Sequence, residues 1–286
     1  MLPDLPKTWL VVPCYNEAKR LPVEHFRSFL RRWPLVRLCL VNDGSRDETE
    51  DVLRRLAESC GGQAVVLSLE KNCGKAEAVR RGVLHATSLG DSQYVGYWDA
   101  DLATPLEELP RFFTAAGEYA RADALCGCRL RRLGASVDRL WHRHLLGRVF
   151  ATLASLILRI PVYDTQCGAK LFRTSLARQV FAQPFITSWV FDVELLARIV
   201  AVEGIAHAGD CIVEIPLLRW SDVGGSKLRL RHYFTALMDL WRIFRHYPAT
   251  PASVPGQGLP PTALLDPVAT QGDQPEAVPE ERRKAA

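Results

Sequence analysis

The chain has 286 residues, 48% of them apolar and 24% charged, with a formal net charge of +4. That composition is of the ordinary globular kind and excludes a collagen-like or wholly disordered chain. The positive excess is too small for a nucleic-acid binder, and no run of about 18 uncharged apolar residues marks a transmembrane helix.

Trp9-Leu10-Val11-Val12 reads as a buried strand, followed by a helix from about 22 to 33. Val36 to Val41 is a second strand, and 47–59 a helix with Val52, Leu53 and Leu56 on its apolar face. Ala64 to Leu67 is a third strand before a helix over 75–88; Tyr94 to Trp98 is a fourth, before a helix over 105–119. Ala124-Leu125-Cys126 is a short fifth strand. Continuous apolar strands alternating with helices predict an α/β fold, a mostly parallel central sheet with helices on both faces. In such sheets ligands bind beyond the carboxyl ends of the strands.

From residue 129 the texture changes. Residues 139–160 and 228–247 read as basic, amphipathic helices rich in Trp, Tyr, Phe and Leu. In the second, Tyr233, Phe234, Leu237, Met238, Trp241 and Phe244 share one side, which suits a helix lying in a membrane interface or packed on the sheet. After residue 247 there are eight prolines in 39 residues and no periodicity, so a disordered tail is expected over 248–286. The eight cysteines are scattered without a CxxC pair, which predicts buried free thiols in a reducing compartment rather than zinc or disulfides. Residues 1–7 have no basic-then-apolar pattern, so a secretory leader is not expected.

Polar motifs stand at the strand ends. Asp99 and Asp101, spaced i, i+2, can hold one hard divalent cation with open positions for a diphosphate; the alternative is an acidic turn capping the next helix. Pro13-Cys14-Tyr15-Asn16-Glu17 can present a ring and backbone groups to a base, or be an ordinary turn. In Asn42-Asp43-Gly44-Ser45-Arg46-Asp47, Asp43 can accept a uracil or guanine edge donor, Gly44 permits a close turn, and Asp47 suits a helix cap. Lys75, after Asn72-Cys73-Gly74, can meet a diphosphate together with helix N-terminal amides, or be a solvated lysine.

In this order the motifs resemble the inverting family 2 nucleotide-sugar glycosyltransferases. The segments Asp164 to Arg173, Phe191 to Leu196 and Trp220 to Leu228 resemble the polyprenyl-phosphate branch, the dolichyl-phosphate glucosyl enzymes ahead of the mannosyl ones. The resemblance covers residues 8–247. It implies a GT-A-like domain over 1–247, with a nucleotide-sugar half at about 8–128 and an acceptor and membrane half at about 129–247. It implies a divalent metal, Mg²⁺ or Mn²⁺, on the donor diphosphate. By position, Pro13, Tyr15, Glu17, Asp43 and Lys75 hold the nucleotide sugar, Asp99 and Asp101 serve the metal and ribose, Gln166 lines the sugar or acceptor pocket, and Asp192 and Glu194 face the sugar. Ala103 stands where the family often has a further ligand, and Ser221-Asp222 where the mannosyl branch tends to place an arginine.

A phosphate monoester acceptor has a second pKa of about 6 and arrives mostly dianionic at pH 7, so a strong general base is not required. Cationic side chains are: Arg129 is the first candidate for the acceptor phosphate, with Arg139 and Lys227 behind it. Asp192 is expected to orient a sugar hydroxyl, act as a weak base, or cap its helix. The expected activity is transfer of a hexose, glucose from UDP-glucose, to a polyprenyl phosphate by a protein peripheral to the cytoplasmic membrane face. The alternatives are a GDP-mannose donor, a soluble or polysaccharide acceptor, and a catalytically silent nucleotide-sugar binder.

Overall fold

Apolar side chains on both faces of the first two strands leave no sheet surface for water, and the chain covers both with helices. The computed structural model describes residues 5–119, 121–138, 141–222 and 230–247. Arg139, Lys227 and the expected tail over 248–286 lie outside the described residues.

The first half alternates: β1 (Thr8–Cys14), α1 (Val23–Arg32), β2 (Val36–Asn42), α2 (Thr49–Ser59), β3 (Ala64–Ser68), α3 (Lys75–Ser88) and β4 (Tyr94–Trp98). A single 3-10 turn, Leu106–Glu108, leads into α4 (Leu109–Glu118), then β5 (Ala124–Cys128). The second half runs β6 (Ser136–Asp138), α5 (Trp141–Leu158), β7 (Ala169–Arg173), α6 (Thr174–Val180), α7 (Phe191–Glu203), α8 (Ile205–Cys211), β8 (Ile212–Pro216), β9 (Arg219–Ser221) and α9 (Leu230–His246).

The main sheet has the order β3-β2-β1-β4-β7-β5-β8, and β6 pairs with β9 in a small separate ribbon. β1, β2, β3 and β4 are mutually parallel, and β5 is parallel to β8. β7 lies antiparallel between β4 and β5. It was not expected as a strand, because Ala-Lys-Leu-Phe-Arg carries two cations in five residues. The chain leaves β1 toward β2 on one side and returns to β4 on the other. This reversal opens a crevice beyond the carboxyl ends of β1 and β4.

The period of two divides the core. Trp9, Val11, Cys39 and Val41 join a layer with α3, α6, α7 and parts of α5 and α9. Leu10, Val12, Leu38 and Leu40 join the opposite layer with α1, α2 and α4. On α5 and α9 only one side is used. Ala151, Ala154, Leu158, Ala236, Leu240 and Ile243 are buried, whereas Leu145, Val149, Leu156, Leu237, Met238, Trp241 and Phe244 are exposed. None of the helices is long and apolar enough to cross a membrane, among the described residues.

Helix boundaries moved only slightly from expectation. α2 begins at Thr49 rather than 47, because Asp47 stays outside it and takes the Thr49 N–H and hydroxyl on its carboxylate. The stretch expected as one helix over 105–119 opens as a 3-10 turn.

Candidate active site

An open cleft of about 350 Å³ lies where the sheet order reverses, lined by Pro13, Tyr15, Glu17, Asp43, Lys75, Asp99 and Asp101 together with Cys14, Asn72, Gly74 and Ala100. Seven residues singled out from four separate sequence motifs thus meet at one place.

Each motif is held by its own hydrogen bonds. Asp43 is buried, and its two carboxylate oxygens accept the N–H groups of Cys73 (2.7 Å) and Gly74 (2.9 Å). This carboxylate ties the loop after β3 to the end of β2, a task its position in the sequence did not disclose. Gly44 follows at φ +60°, where a Cβ would lie 2.3 Å from the Lys71 carbonyl carbon. Only glycine fits that approach. Asn16 and Ser45 join the first and second loops, the Asn16 N–H donating to Ser45 Oγ and the Arg46 N–H to Asn16 Oδ1.

Gly74 precedes α3, so Lys75 opens that helix with its side chain over the cleft. Its ammonium pairs with Asp99 at 2.5 Å. Burial opposes the lysine's charge, but Asp99 and then Asp192 outweigh it and hold the pKa above the ordinary value. Asp101 accepts the Ala103 N–H on one oxygen at 3.0 Å. Desolvation by the cleft walls raises its carboxyl above the usual range; the Ala103 bond works against this, and the neighbouring Asp99 adds to it. Burial likewise raises Glu17, against the pull of its ion pair with Arg20. The second Glu17 oxygen is buried and has no hydrogen-bond partner.

Two carboxylates at a strand end, with a third carboxylate oxygen orphaned in the same cleft, form an all-oxygen donor set. That set fits a hard divalent cation. Among the described residues no three His, Cys, Asp or Glu side chains stand close enough to hold an ion by themselves.

Comparison with known proteins shows the family. Residues 9–181 match the family described as Glycosyl transferase family 2. The chain belongs to glycosyl transferase family 2. A dolichyl-phosphate beta-glucosyltransferase of Homo sapiens is 33% identical over 246 residues, 78% of this chain and 72% of that one. One from Trichomonas vaginalis is 30% identical over 258 residues, covering 85% and 72%. Among solved structures, glucosyl-3-phosphoglycerate synthase from Mycobacterium tuberculosis, in complex with Mn²⁺, UDP-glucose and phosphoglyceric acid, superposes with a TM-score of 0.59. That likeness spans 84% of this chain and 80% of the other at 19% identity, and it shows the GT-A-like fold. This protein is accordingly a glycosyltransferase.

Among the described residues, the remaining expected site residues of this family 2 enzyme, Arg129, Gln166, Asp192 and Glu194, fall outside the cleft lining. Arg129, directly after β5, forks onto Asp164 through Nε (2.6 Å) and Nη2 (2.7 Å), and its backbone N–H reaches the same carboxylate at 3.0 Å. Its guanidinium also lies 5.3 Å from the Trp220 ring centroid. Burial disfavours its charge, but Asp164 more than compensates, and Asp99 contributes from across the turn at 163–168. Gln166 sits in that turn, half-buried, with its Nε2 unpartnered.

Two expectations need correction. Asp192, expected to orient a sugar hydroxyl, act as a weak base or cap its helix, lies outside the cleft lining and is not that cap, the N-cap being Val190. It is buried, ion-paired to Lys170 at 2.5 Å, and accepts a hydrogen bond from the Tyr97 hydroxyl. Glu194 does not face a sugar either. It is fully buried, and its oxygens take the N–H groups of Ile186 and Thr187, the Thr187 hydroxyl and the Arg198 guanidinium at 2.8 Å. Both look like site carboxylates in sequence because they are acids on a helix start. In space Asp192 meets Lys170 and Tyr97 from distant segments, whereas Glu194 meets Arg198 of its own helix and the amides of the turn before it. Sequence reasoning assigned no role to Lys170 or Glu214; the available signal was a charge amid apolar residues, alone in its strand for Glu214 and accompanied by Arg173 for Lys170.

Proposed function

We propose that this glycosyltransferase moves a hexose, with inversion, from a nucleoside diphosphate to a polyprenyl phosphate, with UDP-glucose as donor. The observation that carries the reading is the likeness to dolichyl-phosphate beta-glucosyltransferases over about four-fifths of the chain, in a protein whose cleft gathers four strand-end motifs at one crevice.

The chain's own groups suit the chemistry. Tyr15, about 40% exposed at the cleft rim, offers a ring face for the base. Lys75 and the amides opening α3 offer positive charge to a diphosphate. Asp99 and Asp101, with Glu17 close by, would hold Mg²⁺ or Mn²⁺, which as a Lewis acid neutralises charge on the departing diphosphate. Arg129 is the acceptor-phosphate group, its fork onto Asp164 leaving Nη1 outside the pair. Since the lipid phosphate is already ionised, no free general base is needed, in keeping with the engagement of Asp192 by Lys170 and Tyr97.

The acceptor's tail cannot leave the bilayer, and the half-exposed row Leu237, Met238, Trp241 and Phe244 on α9, with exposed Arg242 and Arg245 beside it, supports peripheral membrane association. A soluble acceptor would leave that face without a purpose.

The test is direct. The purified chain is offered radiolabelled UDP-glucose or GDP-mannose in turn, with a short polyprenyl phosphate and Mg²⁺. Organic-soluble label from UDP-glucose is expected. No such product with either donor overturns the proposal, and label from GDP-mannose alone overturns the choice of sugar.

A further inference from the structure

The turn at 163–168 carries Asp164, the partner of Arg129, and three charged side chains hold its backbone. Glu214 accepts the N–H groups of Tyr163 (2.8 Å) and Asp164 (2.7 Å). Arg148 donates to the Tyr163 carbonyl at 2.7 Å. From within the core, Lys170 donates to the carbonyls of Thr165 (3.0 Å) and Cys167 (2.7 Å) and to Asp192 Oδ1 (2.5 Å). The Lys170 side chain is wholly excluded from solvent. An ammonium has three protons to give, and here each has an acceptor. Charge buried this deeply is tolerated only because it is paired and bonded.

The two ends of the turn hold different groups. Asp164 closes the fork on Arg129. At the other end the Gly168 carbonyl accepts the Asp99 N–H at 2.9 Å. Lys170 grips the stretch between them from the strand position opposite Tyr97, whose hydroxyl shares the Asp192 carboxylate.

We infer that Lys170 is a positioning residue: through the Thr165 and Cys167 carbonyls it sets where Asp99 stands relative to the Arg129–Asp164 pair, touching neither substrate. The inference rests on the reading of Arg129 as the acceptor-phosphate group. Its physical basis is that transfer needs donor and acceptor groups in register, whereas donor binding alone needs only the cleft side.

Lys170→Met alone strands the Asp192 charge in the interior and endangers the fold. The decisive variant is therefore Lys170→Met/Asp192→Asn, which removes both charges, compared with Asp192→Asn, in which the lysine sheds its proton and the neutral amine keeps two N–H donors for the Thr165 and Cys167 carbonyls. The double variant is expected to stay folded, to bind UDP as tightly as the native chain, and to lose about 100-fold in transfer rate, the scale of an ångström-sized misplacement. Backbone hydrogen exchange across 163–169 should quicken by about tenfold in it while the rest of the sheet is unchanged. Asp192→Asn should keep the larger part of the rate. A double variant that matches Asp192→Asn in rate and in exchange overturns the inference, as does one that loses UDP binding and rate in parallel, the mark of a merely structural role. If the native chain transfers to no polyprenyl phosphate, the acceptor reading fails instead, and hydrogen exchange at the turn alone decides the role of Lys170.

Discussion

One methyl group added at Gly168 measures how closely the position of Asp99 governs catalysis. A Cβ there would lie 1.8 Å from Asp99 Oδ2, 2.2 Å from Cγ and 2.6 Å from Oδ1. Ordinary carbon contacts begin near 3.5 Å, so the carboxylate must retreat by about 1.5 Å. The backbones cannot part instead, because the Asp99 N–H donates to the Gly168 carbonyl and Trp98 pairs with Ala169 alongside. Overpacking of this kind costs about 1–3 kcal/mol. The Lys75 ion pair is lost too, but both partners are about a third or more exposed, and such a pair is worth less than about 1 kcal/mol. At about 2–4 °C per kcal/mol for a chain of this size, Gly168→Ala should melt several degrees lower and still fold. Transfer should fall by about 100-fold, since the displaced carboxylate misplaces what it holds. Thermal melting and the radiolabel assay, run on one preparation, check both halves. A variant that melts several degrees low yet transfers within about threefold of the native rate, a barrier change under 1 kcal/mol, refutes the role given to Asp99.

Asp101→Ala should abolish divalent-cation-dependent binding of UDP in calorimetry and reduce transfer to background, while the melting temperature moves little because Asp101 makes a single hydrogen bond, to the Ala103 N–H. The raised carboxyl of Asp101 gives pH dependence a definite sign. As pH falls through its raised value the native form takes up a proton, so cation-dependent UDP affinity should weaken by up to about tenfold per pH unit for one proton displaced. The ligand-free chain behaves oppositely, because the native form binds that proton before the unfolded one does and gains stability over the same window; UDP titrations and melts from pH 7 downward read the two slopes. Trp241→Ser/Phe244→Ser removes half-exposed rings from α9. It should leave the melting temperature in place and lower partition onto anionic vesicles by about tenfold or more, which sedimentation measures. Gly44→Ala should be destabilised by more than about 1 kcal/mol in urea, because both its backbone conformation and its closeness to Lys71 exclude a side chain.

The sequence by itself determined a good deal of this protein. Unbroken apolar runs such as Leu10 to Val12 and Leu38 to Val41 announced strands buried on both faces, and intervening helical periods announced their cover. Polar motifs immediately after strands then had to gather at one edge, because parallel strands all end on the same side; the meeting of Tyr15, Asp43, Lys75 and Asp101 follows from that rule. What only the tertiary structure decided was non-local. The insertion of β7 between β4 and β5 brings Lys170 against Tyr97 and Asp192, residues far apart in the chain. That pairing turns Asp192 from a candidate sugar ligand into a buried counterion; for Glu194 the partners are near in the chain, Arg198 one helical turn on and the Ile186 and Thr187 amides just before the helix. A carboxylate's local neighbours record whether it can cap or bind. Whether it meets a cation in the core or a ligand in a cleft depends on sheet order, which no local period encodes.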